Sequence, residues 1–196
     1  MNLAELQAEV YSITGRADLI TLTLSAIKSA TLKAHQTDFF SKDIYENSYQ
    51  FANTSYTHSL DIITQIPNYR AMKYMRKYDT STGEAGTFFN VLTPEEILDE
   101  WGRTRQDVCY IAGRTIEINS STEFNTILLG CYVTPVVTEV NFSSWVADIY
   151  PYAIIHEAAR VVLLSIAQRE EANSQRELVA EQYAELKINA LPDVGS

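Results

Sequence analysis

The forty residues that follow Pro151, as far as Leu191, contain neither glycine nor proline. Nothing local tells such a stretch to stop being helical, and Pro151 suits a first helical turn. Straight, it would reach roughly 60 Å, too long for a compact chain of 196 residues. The helix is therefore expected to protrude or to break, with 170–174 (EEANS) as the kink and Ser174 with Glu177 as a second capping box. The whole chain has only seven glycines and five prolines, about half the usual share. That scarcity disfavours turn-dense β-sandwiches and glycine-loop nucleotide sites.

The opening segment reads as a short amphipathic helix. Asn2 and Glu5 form a capping-box pattern, Leu3, Leu6, Val10 and Ile13 share a face, and Gly15 stops it. Asp18 is expected to restart a second helix to about Gln36, with Ile20, Leu24, Ile27, Thr31 and Ala34 on one side. From residue 43 the texture turns to Tyr, Phe, Thr and Ser, and 49–52, 56–63 and 69–78 read as strands. Residues 80–86 (TSTGEAG) read as a loop, and Thr93, Pro94 and Glu96 predict a short helix over about 94–101. A hairpin follows, 108–111 with 115–119 around Gly113, then a strand at 126–133. Cys109, Ile111, Ile116 and Ile118 alternate with polar neighbours, so one sheet face is expected to be buried.

These elements predict an α+β fold: a helical bundle from the N-terminal helix pair and the long C-terminal helix, with a β-rich insertion. The expected division is 1–42 with 144–196 as the helical part, and 43–143 as the insertion.

A chain with 15 basic and 25 acidic residues, net −10 and a pI near 4.7, is the reverse of a phosphate-backbone binder. Cys109 and Cys131 match no zinc or redox spacing and are expected to be reduced core fillers in a soluble protein of a reducing cytoplasm. The N-terminus shows no signal-peptide pattern and no apolar run approaches a membrane span. His156–Glu157 on a helix suggests a zinc protease, but Arg160 stands where the second histidine would be needed. No nucleophile elbow is present, Gly83 and Gly86 lack a phosphate-loop lysine, and three histidines are a thin supply of bases. The expectation is no enzyme, no catalytic or metal-binding residue and no cofactor.

Three surfaces remain. Arg70, Lys73, Arg76 and Lys77 are interleaved with aromatics including Tyr74, a pattern that can stack bases or merely protect a sheet edge. Val179, Tyr183, Leu186 and Ala190 form an apolar stripe that is read as an assembly interface, there being little of the small chain left to cover it. Glu177, Glu181 and Glu185 form an acidic column on the opposite side, either a plain solvated face or a surface for basic partners that keeps DNA from sticking.

The strings at 26–46 (AIKSATLKAHQTDFFSKDIYE), 93–102 (TPEEILDEWG), 110–118 (YIAGRTIEI), 144–162 (SWVADIYPYAIIHEAARVV) and 178–187 (LVAEQYAELK) resemble tailed-phage proteins. The order of helices, β-rich insert and long terminal helix is similar to head-to-tail adaptor (connector, neck) proteins of tailed bacteriophages. The resemblance implies a structural virion protein at the neck, assembled in the host cytoplasm. It implies a homo-oligomeric ring, usually of twelve copies, that docks on the portal protein, meets tail or nozzle proteins and extends the DNA channel. DNA would pass without sequence-specific binding, and no membrane is involved. Twelve copies at −10 each would carry about −120 formal charges, which suits a channel DNA must traverse freely. The competing reading is a small soluble binding module that uses the 70–77 cluster for nucleic acid or another acidic ligand.

Overall fold

The computed structural model describes residues 1–190. Leu191, the expected end of the last helix, lies outside the described residues. The chain divides into two compact units, Met1–Asp43 with the segment from Thr134 onward, and Ile44–Val133. Residues 134–143, expected within the insertion, thus belong to the helical unit.

The helical unit begins with α1 (Leu3–Thr14), where the Asn2–Glu5 capping box forms and Gly15 ends the helix in the left-handed conformation. Next comes α2 (Ile20–Gln36), which Asp18 does not cap, because its carboxylate takes two hydrogen bonds from Arg16 instead. After a 3-10 turn at Ser41–Asp43 the chain leaves the unit. It returns to form α4 (Trp145–Ile149), α5 (Pro151–Ser165) and α6 (Arg169–Ala190).

The long helix does break, but at 166–168 and not at 170–174. Ala167 adopts φ 63°, Gln168 N–H reaches Leu163 O, and Ala167 N–H reaches Leu164 O. That is a Schellman stop with alanine where glycine is usual, so the sequence carries no sign of it. Ser174, expected as a cap, lies inside α6 and bonds back to Glu170 O. The reversal lays α6 on α5, with Gln175 hydrogen-bonded to His156. Leu6, Val10, Ile27, Ile154, Ile155, Val162 and Leu186 close the core.

The other unit is one six-stranded sheet built around β6. Its strands are β1 (Ile44–Asp61), β2 (Tyr69–Asp79), β3 (Glu84–Phe88), β4 (Asn90–Val91), β5 (Val108–Ala112) and β6 (Thr115–Val133). A one-turn α3 (Ile62–Gln65), capped by Asp61, follows β1. β1 runs antiparallel along β6, β5 pairs with the first part of β6, and β2 pairs with the last part. Only β4–β5 is parallel, which makes the sheet mixed.

The predicted helical bundle with a β insertion is therefore corrected. The fold is α+β, with six α-helices among the described residues and a strand-rich core carried by the long β1–β6 pairing. An 18-residue strand can extend about 60 Å. Register shifts between Gln50 and Ser55, and between Ser55 and Thr57, disguise β1 as two short strands, because each shift resets the alternation of faces.

The loop reading of 80–86 is also revised, since β3 already begins at Glu84. The helix expected over 94–101 is a single 3-10 turn, Pro94–Glu96, although its Thr93–Glu96 capping box forms. Its continuation is lost to Asp99, whose side chain accepts from Trp101 N–H and Arg103 N–H and so folds a turn in place of a helix.

Candidate functional site

On β2 alternate side chains point to opposite faces, and this divides the basic cluster. Met75 is fully buried in the sheet core with Ile127, Leu129 and Cys131. On its face Lys77 reaches Asp107 at 2.9 Å and Thr122 at 2.8 Å. The Asp107 carboxylate also accepts from Ser121 Oγ and Ser121 N–H. Burial works to raise its pKa, but the bonds from Ser121 and Lys77 outweigh burial and hold it at about 2.

In the unfolded chain the same acid titrates near 3.9. A folded pKa below the unfolded one gives stability that is complete above about pH 4 and disappears as pH falls toward about 2. Between pH 4 and 2 the urea midpoint of Asp107→Asn should fall less steeply than that of the wild type.

Tyr74 and Arg76 lie on the opposite face. Arg76 sits 4.2 Å from the Phe88 ring centroid and 5.6 Å from that of Tyr74, and Lys73 lies over Tyr132 at 5.9 Å. The Tyr74 ring crosses Gly130 on β6, and its hydroxyl donates to Glu46 on β1. A Cβ at residue 130 would stand 2.5 Å from Tyr74 Cζ. Gly130→Ala should therefore cost roughly 1–3 kcal/mol by overpacking, and much less in a Tyr74→Ala background. A double-mutant cycle read by chemical denaturation measures the difference. Arg70 lies at the start of β2, beside a register shift between Tyr69 and Ala71. The five residues of the cluster are thus one strand but not one surface.

On α6, Glu177, Glu181 and Glu185 are exposed, as the acidic-column reading requires. The apolar stripe differs from expectation. Val179, Leu186 and Ala190 are buried within the chain's own helical unit, Leu186 completely. Tyr183 is half-buried against the same core, with Lys33 over its ring at 5.8 Å. Lys33 also meets Glu157 at 2.6 Å, and Arg160 grips both oxygens of that buried carboxylate. Burial alone would raise the Glu157 pKa, yet these two cations hold it below the ordinary value. So the rest of the helical unit, with α5 alongside and Lys33 of α2 over Tyr183, covers the stripe that the sequence left without cover.

Four residues from two segments far apart in sequence, His35 to Asp43 and Ser144 to Trp145, meet within the helical unit. His35 Nδ1 lies 2.7 Å from Asp43 Oδ1, and its Nε2 lies 2.9 Å from Ser144 Oγ. Trp145 Nε1–H donates to the same Asp43 oxygen at 2.6 Å. A carboxylate only accepts, so Nδ1 carries the proton and Nε2 can accept from Ser144.

This is the bonding order of a serine hydrolase, and no local motif announces it. Yet His35, Asp43 and Ser144 are 1%, 5% and 6% exposed, and Ser144 Oγ also accepts Ala147 N–H as the cap of α4. A substrate carbonyl has no approach, and the cluster acts as a structural clamp.

Cys109 and Cys131 are free thiols buried in the sheet core, and burial pushes them up to about 12 and about 11. At neutral pH they are thus unreactive fillers. No group of three His, Cys, Asp or Glu side chains able to hold a metal occurs among the described residues. No described helix is long and apolar enough to cross a membrane. In comparison with known proteins, no protein-family model and no curated protein matches the chain.

Proposed function

We propose that the chain is a structural, non-enzymatic subunit of a head-to-tail adaptor ring in a tailed-phage virion. In this reading it joins the portal to tail or nozzle proteins and lines a channel through which DNA passes. The observation that carries it is the exposed acidic column Glu177, Glu181 and Glu185, one helical turn apart on the outer side of α6. With the net charge of −10 it would give a ring an inner or facing surface that repels phosphate. The chain order also supports it: α1 and α2, then the sheet unit, then α4 to α6.

The test is to mix the purified protein with its portal and weigh the product by native mass spectrometry, with cryo-electron microscopy of the complex. The protein alone should be monomeric or polydisperse and should form a ring of about twelve copies on the portal, since an acidic ring repels itself. A stable dimer that never engages a portal would overturn the reading.

A binding module is favoured by one observation, the shared face of Tyr74, Arg76 and Phe88 on the sheet. A salt titration separates the two, because affinity for a phosphate backbone falls steeply as salt rises. No binding to single-stranded DNA at low salt would eliminate the module.

A further inference from the structure

The turn that replaces the expected helix at 94–101 presents a tryptophan. Leu98 and Thr104 pair as a bridge, Gly102 N–H and Arg103 O bond to the Asp99 backbone, and Arg105 N–H reaches Ile97 O. The Asp99 carboxylate adds bonds to Trp101 N–H and Arg103 N–H, and Gly102 takes φ 71°. The tip is therefore ordered by its own hydrogen bonds, and at that tip Trp101 is 82% exposed. A large aromatic side chain exposed on an ordered turn is a common form of interface anchor. Leu98, on the same arm, is 53% exposed.

The same unit has an open pocket of about 420 Å³, lined mainly by Ile62, Ile63, Ile66, Tyr69, Ile111 and Arg114. Its walls are apolar, Ile63 is 59% exposed, and Arg114 is the charged group on its lining. That volume lies within the range of small-ligand pockets and accommodates an indole. Glu100, exposed beside Trp101, is the charge complement of Arg114, and the guanidinium can also stack on the indole face.

We infer that Trp101 of one copy seats in the Ile63–Arg114 pocket of a second copy. Knob and pocket occupy different places on one chain, so the contact is head-to-tail and either closes into a ring or runs on as a filament. It rests on the ring reading above for its biological setting, and it moves the assembly contact from α6 to the sheet unit.

The experiment uses the full chain at millimolar concentration, alone and with portal, read by sedimentation velocity and native mass spectrometry. Trp101→Ala and Ile63→Asp should each weaken association by roughly thirtyfold, as loss of a hot spot does. Both positions are solvent-exposed, so circular dichroism should show both variants folded. A mixture of the two variants should stop at a one-to-one heterodimer, because each supplies the half that the other lacks. Glu100→Arg or Arg114→Glu should weaken association, and the two together in one chain should restore it.

Wild-type association, or a portal ring, that is unaffected by Trp101→Ala overturns the contact and leaves the ring reading standing. Self-association through Trp101 and Ile63 without portal engagement leaves the contact standing and removes the ring reading. Loss of portal binding with self-association intact assigns Trp101 to the portal and overturns the contact. Absence of any association in the wild type, alone or with portal, overturns both.

Discussion

Leu186→Ala should destabilise the isolated monomer by about 2–5 kcal/mol, the range of large-to-small changes in a closed core. Leu186 is fully buried in the core formed by α1, α2, α4, α5 and α6, and Val179 and Ala190 flank it on the same side of α6. Small domains hold only about 5–15 kcal/mol in total, so one side chain carries a large share. The urea midpoint of the full chain should fall sharply, at unchanged protein concentration and without portal. Reversing Glu177, Glu181 and Glu185 to Lys serves as the control. Those side chains face water, where substitutions stay within about 0.5 kcal/mol, and the Lys–Lys neighbours at i, i+4 repel about as much as the Glu–Glu pairs they replace. A monomer indifferent to Leu186→Ala would return the stripe to the role of an uncovered assembly face.

Asp43→Ala should cost about 3–5 kcal/mol, because it breaks a buried polar network from its centre. The aspartate oxygen is the shared acceptor of His35 Nδ1–H and Trp145 Nε1–H, and its removal takes that acceptor from both donors at once. Trp145 further packs edge-on against His35 and Phe40, with ring centroids at 5.4 and 5.2 Å, so its indole emission reports the site. Ser144→Ala removes the α4 cap and should cost about 1 kcal/mol for that bond. The loss of the His35 contact adds to it. Thermal unfolding followed by near-ultraviolet circular dichroism ranks the variants, and Asp43→Ala should be the worse by a clear margin. Equal costs would mean that the histidine, and not the carboxylate, organises the clamp.

The two faces of α6 differ in how far the sequence reveals them. The exposed acidic column could be read directly, since glutamates at one-turn spacing have no reason to be buried. The stripe opposite could be recognised as apolar, but its partner could not be named. Helical periodicity says that a face must be covered and is silent on whether α5 or a neighbouring subunit covers it. The basic cluster failed for a related reason: neighbours along a strand point to opposite faces, so Arg76 and Lys77 never share a surface.

The sequence by itself determined the punctuation of this chain. Asn2 with Glu5, Gly15, Thr93 with Glu96, the turn at Gly113 and Pro151 all act where the residues predict. Each of these is a contact between residues three or four apart, or a dihedral preference of one residue, so local chemistry is sufficient. Only the tertiary structure decided the rest. The span of β1 and β6 depends on pairing across up to 88 positions, as Ile44 with Tyr132 shows. The helix reversal at Ala167 puts an alanine in a glycine conformation, at a cost of roughly 1–2 kcal/mol that its own residue type opposes. The packing of α6 on α5 must offset that strain, and His35 meets Ser144 across a sequence separation of 109. Such contacts are selected by which faces remain to be buried once the local elements exist, and that is a property of the whole chain in three dimensions.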